Sequence, residues 1–520
     1  MADLVLVNGN ILTMNESKPR AQAIAVKKNR IVKVGSNAEI RSLIADNTRI
    51  LDLNGKTVVP GFIDTHIHVA DLGRILDWID LTKAGSIEEL IQLVRNKAAR
   101  TAKGKWLLGS GWNNEKVAER RCPTNQDLDA AAPDNPVILY HALGQTAVVN
   151  SEALKLSGLT KETVSPEEGA VNRDKETGEL TGILEGAATD LVWKKVPEPT
   201  AEEMLEAARI ACMALVQAGI TSVHWITTSA REARIVEQLG KDSSIPLRIF
   251  TIAAAKNLGC FTRQRGAKTG IRGALIFADG YLASKTAALN APYFDNSKNS
   301  GKLLCSQDAL DQLAMKVHKT GLQVVIHAMG DRAIGAAVKA FEGLMSRQSV
   351  DRNRLRIEQA ALLNEQLIKD IERLKIIVSV QPRVVESEFS VWKAVEKLGE
   401  QRAKLLFPLR TLLKNGICVV GGSDCPMEPV SPLLGIQAAV ARKSFPEERL
   451  TVQEALKLYT VNAAFATNEE DSKGSIEMGK LADFTVLSED PTLIPTRKLA
   501  DIEVEMTIID GIIVYQKCDL

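Results

Sequence analysis

A (β/α)8 barrel with a small β-sandwich domain built from both chain ends is the fold class predicted for this 520-residue α/β chain. Three observations predict it. Residues 4–59 alternate short β-rich runs with turn signals. From about residue 60, β-rich runs are separated by longer amphipathic stretches, the texture of a parallel sheet with crossover helices. Residues 479–515 then return to short strands. A chain of this length exceeds the size at which a single core stops growing, so a large barrel with an attached domain suits it better than one compact unit.

The amino-terminal runs are "LVLVNGNIL", "AIAVKKNRIVKVG" and "RILDLNGKTVVPG", with Asn-Gly pairs at 8–9 and 54–55. They predict a small antiparallel sheet packed as a sandwich. The barrel strands are sought in "PVILYH", "GITSVHWI", "PLRIFTIA", "RGALIFADG", "LQVVIHAMG", "LRIEQA", "IIVSVQP" and "GICVVGGSD". Between them lie helical patterns such as "TAEEMLEAARIACMALVQAG", with Thr200 as N-cap, Glu203 three residues on and Gly219 as the stop. The tail "VEMTIIDGIIVYQ" carries an Asp-Gly turn and is expected to pair with residues 4–59. Residues 1–58 with 477–520 form the expected sandwich domain, and residues 59–476 the barrel.

Composition narrows the function. Hydrophobic residues make up 45% and charged residues 25%, which leaves no case for disorder. A net charge of +1 gives no electrostatic footprint for nucleic acid or an anionic membrane. No apolar run approaches the roughly 18 residues of a membrane span, and the amino terminus makes a poor signal peptide. Seven scattered cysteines without CxxC spacing argue against a disulfide framework and a structural zinc cluster. A cytoplasmic protein is the simplest expectation, and a homodimer the base-rate one.

Several strand runs end in a polar side chain: His66 and His68, His224, His327, Gln359 and Asp424. In a barrel the carboxyl ends of the strands build the active site, so these residues would converge although they are far apart in sequence. In "FIDTHIHV", His66 and His68 stand at i and i+2 of a strand, on one face and about 7 Å apart at the backbone, so both imidazoles can bend onto one ion.

The stretches "GKTVVPGFIDTHIH", "GSGWNNE", "LDAAAPDNPVIL", "FADGYLASKTAAL", "VVIHAMGDRAI", "GGSDCPMEPVSPLLGIQAAV" and "GSIEMGKLADFTVL" occur in that order. Through them nearly the whole chain resembles the amidohydrolase superfamily of metal-dependent hydrolases, in detail its amidohydrolase-3 branch with N-substituted formamide deformylase-like enzymes. The resemblance implies that His66 and His68 of the first strand, His327 of the fifth and Asp424 of the eighth are metal ligands. It also implies two departures. Leu275 stands where the family has a bridging lysine, and Gln359 where it has a sixth-strand histidine. Gln145 replaces a further histidine of the branch.

The surviving set fits one divalent ion, zinc first, with iron and manganese as alternatives. Asp424 is the expected catalytic base and then acid, acting on metal-activated water. His224, Gln359, Gln145, Trp112 and Asp331 are candidate substrate-binding or supporting residues, Asp331 as a helix N-cap. Glu358 is expected to alternate away from the ion. The expected function is hydrolysis of a non-peptide carbon–nitrogen bond in a small amide, formamide or cyclic amide. The alternative is a catalytically impaired barrel that binds a small ligand or serves as a scaffold, motivated by Leu275 and Gln359.

Overall fold

The computed structural model describes residues 1–142, 144–242, 244–260, 268–348 and 355–517. The chain divides into two compact units, one made of Met1–Leu72 with Ala211–Leu520 and the other of Gly73–Ile210.

The first unit contains eight parallel strands: β1 (Phe62–Ile67), β2 (Ile220–Thr227), β3 (Arg248–Ala254), β4 (Thr269–Phe277), β5 (Gln323–His327), β6 (Leu355–Glu358), β7 (Ile377–Val380) and β8 (Val419–Gly421). They are hydrogen-bonded in sequence order, β1 beside β2 through to β7 beside β8. Segments such as "QVVIH" and "IVSV" are buried throughout, as strands covered on both faces must be. Helices follow them in turn, including Ala230–Leu239 after β2, Gln307–Lys319 after β4, Asp331–Arg347 after β5 and Glu365–Leu374 after β6.

The ring closes just beyond β8. Ile67 bridges Cys425 in parallel, the Asp424 amide donates to the His66 carbonyl at 2.8 Å, and the His68 amide donates to the Cys425 carbonyl at 2.9 Å. Gly422 makes this approach feasible, because a Cβ there would lie 2.5 Å from the His66 nitrogen. Closure therefore falls at the residues suspected of binding metal, so the closing hydrogen bonds also set their spacing.

The chain ends supply two further sheets of the same unit. One orders Arg30–Gly35, Ala23–Lys27, Leu4–Val7 and Arg49–Asp52; the other brings Phe484–Leu487, Val504–Ile509 and Ile512–Gln516 against Thr57–Pro60. They share an apolar core that includes Leu6, Ile24, Val58, Phe484 and Ile508. The tail thus pairs with the amino-terminal strands, and its turn is Asp510–Gly511, both at positive φ between Ile509 and Ile512. The amino-terminal sheet is mixed rather than antiparallel, because Leu4–Val7 runs parallel to Arg49–Asp52. Both sheets fall within the compact unit that holds the barrel instead of forming a unit of their own.

The second unit is built on a six-stranded sheet with its own core, in which Leu90, Val94, Leu107, Leu128 and Leu139 are buried. Val137–His141 belongs here, parallel to Leu107–Trp112 and antiparallel to Thr146–Val149, and not to the barrel. Its continuous apolar run has the texture of a barrel strand, and periodicity alone does not say which sheet such a run joins. Thr200 and Glu203 form the expected reciprocal cap, at 2.7 and 3.1 Å. Among the described residues no helix is long and apolar enough to cross a membrane, and the six described cysteines are free.

Candidate metal centre

His66 and His68 enter from the end of β1, and Asp424 from the turn after β8. His66 Nε2 stands 3.2 Å and His68 Nε2 3.5 Å from Asp424 Oδ1. One ligand atom from each of the three residues lies within 4.8 Å of the others, so two imidazoles and one carboxylate converge on a point. Such a borderline-soft donor set fits a divalent transition ion or zinc.

His327, expected as a fourth ligand, is not among the three converging groups and joins them through Gln359. His327 Nε2 and Gln359 Oε1 are 2.7 Å apart, and the Gln359 amide nitrogen Nε2 donates to Asp424 Oδ2 at 3.0 Å. The amide therefore spans the gap between the fifth-strand histidine and the eighth-strand aspartate. Gln359 and Asp424 are both left-handed, at φ 56° and 59°. That conformation is uncommon for residues other than glycine, and here it swings both side chains toward one another.

Glu358 is not among the converging groups and reaches His66 from the far side. Its Oε1 stands 2.9 Å from His66 Nδ1, and its Oε2 stands 2.6 Å from Arg356. Both are close ion pairs rather than straight hydrogen bonds. Glu358 and Arg356 are fully buried. Arg356 in turn contacts His224 Nδ1 at 3.0 Å and donates to the Thr65 carbonyl at 2.7 Å and to Ser379 Oγ at 2.9 Å. His224 is thereby a core histidine that packs against Phe250 and pairs with Arg356.

Charge orders the group. Burial would depress the His66 imidazolium, but the Glu358 and Asp424 carboxylates outweigh it and hold its pKa up at about 10. Burial likewise opposes ionisation of Glu358, yet Arg356 and then His66 bring it down to about 2. Asp424 is held well below the usual carboxylate range, against burial, by His66 and then His68. His224 is pushed far below an ordinary histidine by burial and then by the Arg356 charge, so it is neutral. In the ion-free centre the His66 imidazolium and the Arg356 guanidinium balance the Glu358 and Asp424 carboxylates.

Other expected residues take different places. Leu275 is buried in the barrel interior with Ile226, Phe250, Ile252 and Val325, and no ligand side chain occupies its position. Lys285 pairs with Asp295 at 2.6 Å. Asp331 is the first residue of its helix, with Gly330 as N-cap, and accepts from the Asn290 amide at 2.9 Å, which ties the loop after β4 to the helix after β5. Trp112 and Gln145 belong to the second unit. Trp112 is a core residue that donates to the Leu139 carbonyl at 2.9 Å, and Gln145 is exposed. The aromatic surface of that unit comes instead from Trp78, Tyr140 and Trp193, with ring centroids 6.1 Å apart in each pairing.

Two aspartates escaped sequence reasoning. Asp64 accepts from the His66 amide at 3.1 Å and the Ser423 amide at 3.0 Å, which ties β1 to the turn after β8; burial lifts it to about 6. Asp279 accepts from the Ala288, Met329 and Gly330 amides and stands 3.7 Å from His327 Nδ1. The signal lay in "IDTH" and "FADG", where a carboxylate stands just before or just after a strand end it can brace.

Residues 49–515 match the model of the amidohydrolase family. The chain belongs to that family. Over 98% of both chains it is 33% identical to the protein YtcJ of Bacillus subtilis (strain 168). It is 29% identical, over 99% of both chains, to an N-substituted formamide deformylase from Arthrobacter pascens. The crystal structure of an uncharacterized metal-dependent hydrolase from Pyrococcus furiosus matches 94% of this chain and 99% of that one, with a TM-score of 0.76 and 29% identity. As an amidohydrolase-family member the chain is a metal-dependent hydrolase. The resemblance seen in the sequence and the eight-stranded parallel sheet agree with one another.

Proposed function

We propose that the protein hydrolyses a carbon–nitrogen bond other than a peptide bond, in a small amide, formamide or cyclic amide, with one divalent ion held by His66, His68 and Asp424. The observation that carries this reading is the convergence of those three side chains within 4.8 Å at the carboxyl end of a parallel barrel. Similarity to the Arthrobacter pascens deformylase supports the choice of bond. Zinc is the preferred ion because two imidazoles and a carboxylate suit it.

When bound, such an ion supplies Lewis acidity and lowers the pKa of water toward neutrality. The chain's own groups do the rest. Asp424, kept ionised by the two histidines, takes a proton from the attacking water and passes it to the leaving nitrogen. Gln359 fixes the second Asp424 oxygen, so that Oδ1 faces the histidines. His327 sets the opposite end of that amide. Tyr281, whose ring lies 5.2 Å from that of His327 and which is half exposed, is placed to meet substrate. Leu275 fills the place of a bridging lysine with an alkyl group, which supports one ion rather than two.

The test is turnover of a panel of N-substituted formamides, simple amides and cyclic amides by zinc-loaded enzyme, with Asp424→Asn beside it. Hydrolysis of at least one class, lost in the variant, is the expected result. Tight binding of panel members without any turnover would favour the impaired, ligand-binding alternative.

A further inference from the structure

We infer that Glu358, locked in place by Arg356, is a positioning residue that presents His66 to the metal through Nε2. The inference rests on the metal reading above and adds to it a residue that coordinates nothing.

The geometry carries it. An imidazole has two nitrogens, and whichever one is held by the protein leaves the other for the ion. His66 Nδ1 stands 2.9 Å from Glu358 Oε1, while Nε2 stands 3.2 Å from Asp424 Oδ1. Glu358 therefore occupies the side of the ring that faces away from the ligand triad. A carboxylate in that place fixes the ring's rotation and tautomer and makes the ligating nitrogen more basic.

Glu358 itself has no freedom to drift. It is fully buried, its Oε2 meets Arg356 at 2.6 Å, and its Oε1 accepts from Gln381 Nε2 at 3.3 Å. Arg356 is held from three further directions, by His224 Nδ1, the Thr65 carbonyl and Ser379 Oγ. One cation and one anion thus stand paired inside the barrel. Replacing such a pair by apolar residues is often no loss to stability, so packing alone does not account for it. Contact with a ligand histidine does. His68 is the contrast: it is partly exposed, with 23% of its side chain accessible, and it pairs with Asp424.

The decisive measurement is the zinc dissociation constant of the full-length protein, by competition with a chromophoric chelator, for wild type, Glu358→Gln, Arg356→Lys and Asp424→Ala, with thermal unfolding of each metal-free form. Glu358→Gln keeps the shape and removes the charge; it should weaken zinc binding roughly 10- to 100-fold. Arg356→Lys keeps the charge but loses the planar fork, and should weaken it by a smaller factor. A purely structural role would lower the unfolding temperature of the metal-free variants and leave the dissociation constant unmoved. Zinc affinity equal to wild type in either folded variant overturns the inference, and Arg356→Lys serves if Glu358→Gln does not fold. Wild type that binds zinc no better than Asp424→Ala overturns the metal reading and this inference with it. Zinc bound by wild type and lost in Asp424→Ala, with Glu358→Gln unchanged, overturns the inference alone.

Discussion

Asp424 is asked to do two things, hold the ion and shuttle a proton, and both need a carboxylate. Asp424→Asn should lower kcat by roughly 10²- to 10⁴-fold, the range that a general acid–base group supplies. Steady-state kinetics on any substrate found in the amide panel checks this, and a change in KM alone would move Asp424 out of that role. Leu275 makes the complementary case. It sits among Ile226, Phe250, Ile252 and Val325, where an ammonium would have no partner. Leu275→Lys should destabilise the protein by about 3 kcal/mol or more, the scale of an uncompensated buried charge, as read by denaturant titration. Added Gln359→His should then let a second metal bind and recover part of that loss. At this scale the sequence was informative where a residue acts by its own chemistry, as His66, His68 and Asp424 do. It was silent where backbone geometry intervened: Gln359 at φ 56° turns its amide toward His327 and Asp424, while Glu358, outside the ligand group, reaches the far nitrogen of His66.

Helix Pro382–Ser390, which follows β7, buries Glu388 with no hydrogen-bond partner for its Oε2. Burial lifts that carboxyl from 4.5 to about 7. Because the folded pKa lies above the unfolded one, the folded state binds the extra proton between these values. Stability from this group is therefore complete below about pH 4.5 and is lost as pH rises through about 7. Converting the difference gives a loss on the order of 3 kcal/mol, to be read as an upper bound for one side chain. Glu388→Gln should flatten the decline, so that wild type and variant diverge between pH 5 and pH 8 in roughly that amount. Equal slopes for the two proteins would show that Glu388 ionises freely in the fold. Elements of this kind were legible as helices and strands from their patterns, since caps such as Thr200 with Glu203 are local. Which sheet a strand joins was not, and Val137–His141 shows why: its buried run satisfies a barrel and a separate sheet equally.

For the whole molecule, the site exists only because β1 meets the turn after β8, and that seam brings together residues about 360 positions apart through Asp64, His66 and Asp424. An ion bound there stabilises the closed ring and not the unfolded chain. At a free zinc concentration 100 times the dissociation constant the gain is about 2.7 kcal/mol, so a chelator should lower the unfolding temperature and zinc restore it. Unchanged unfolding on chelation would place any metal outside the seam. The terminal sheets and the barrel were readable from the sequence because each carries its own repeating texture. The unit Gly73–Ile210 was not, because its strands and helices alternate much as the barrel's do. The most direct test of the central claim is elemental analysis of purified protein after incubation with zinc, wild type beside Asp424→Ala. One ion per chain in wild type and close to none in the variant is the predicted result; two ions per chain, or none, would contradict it.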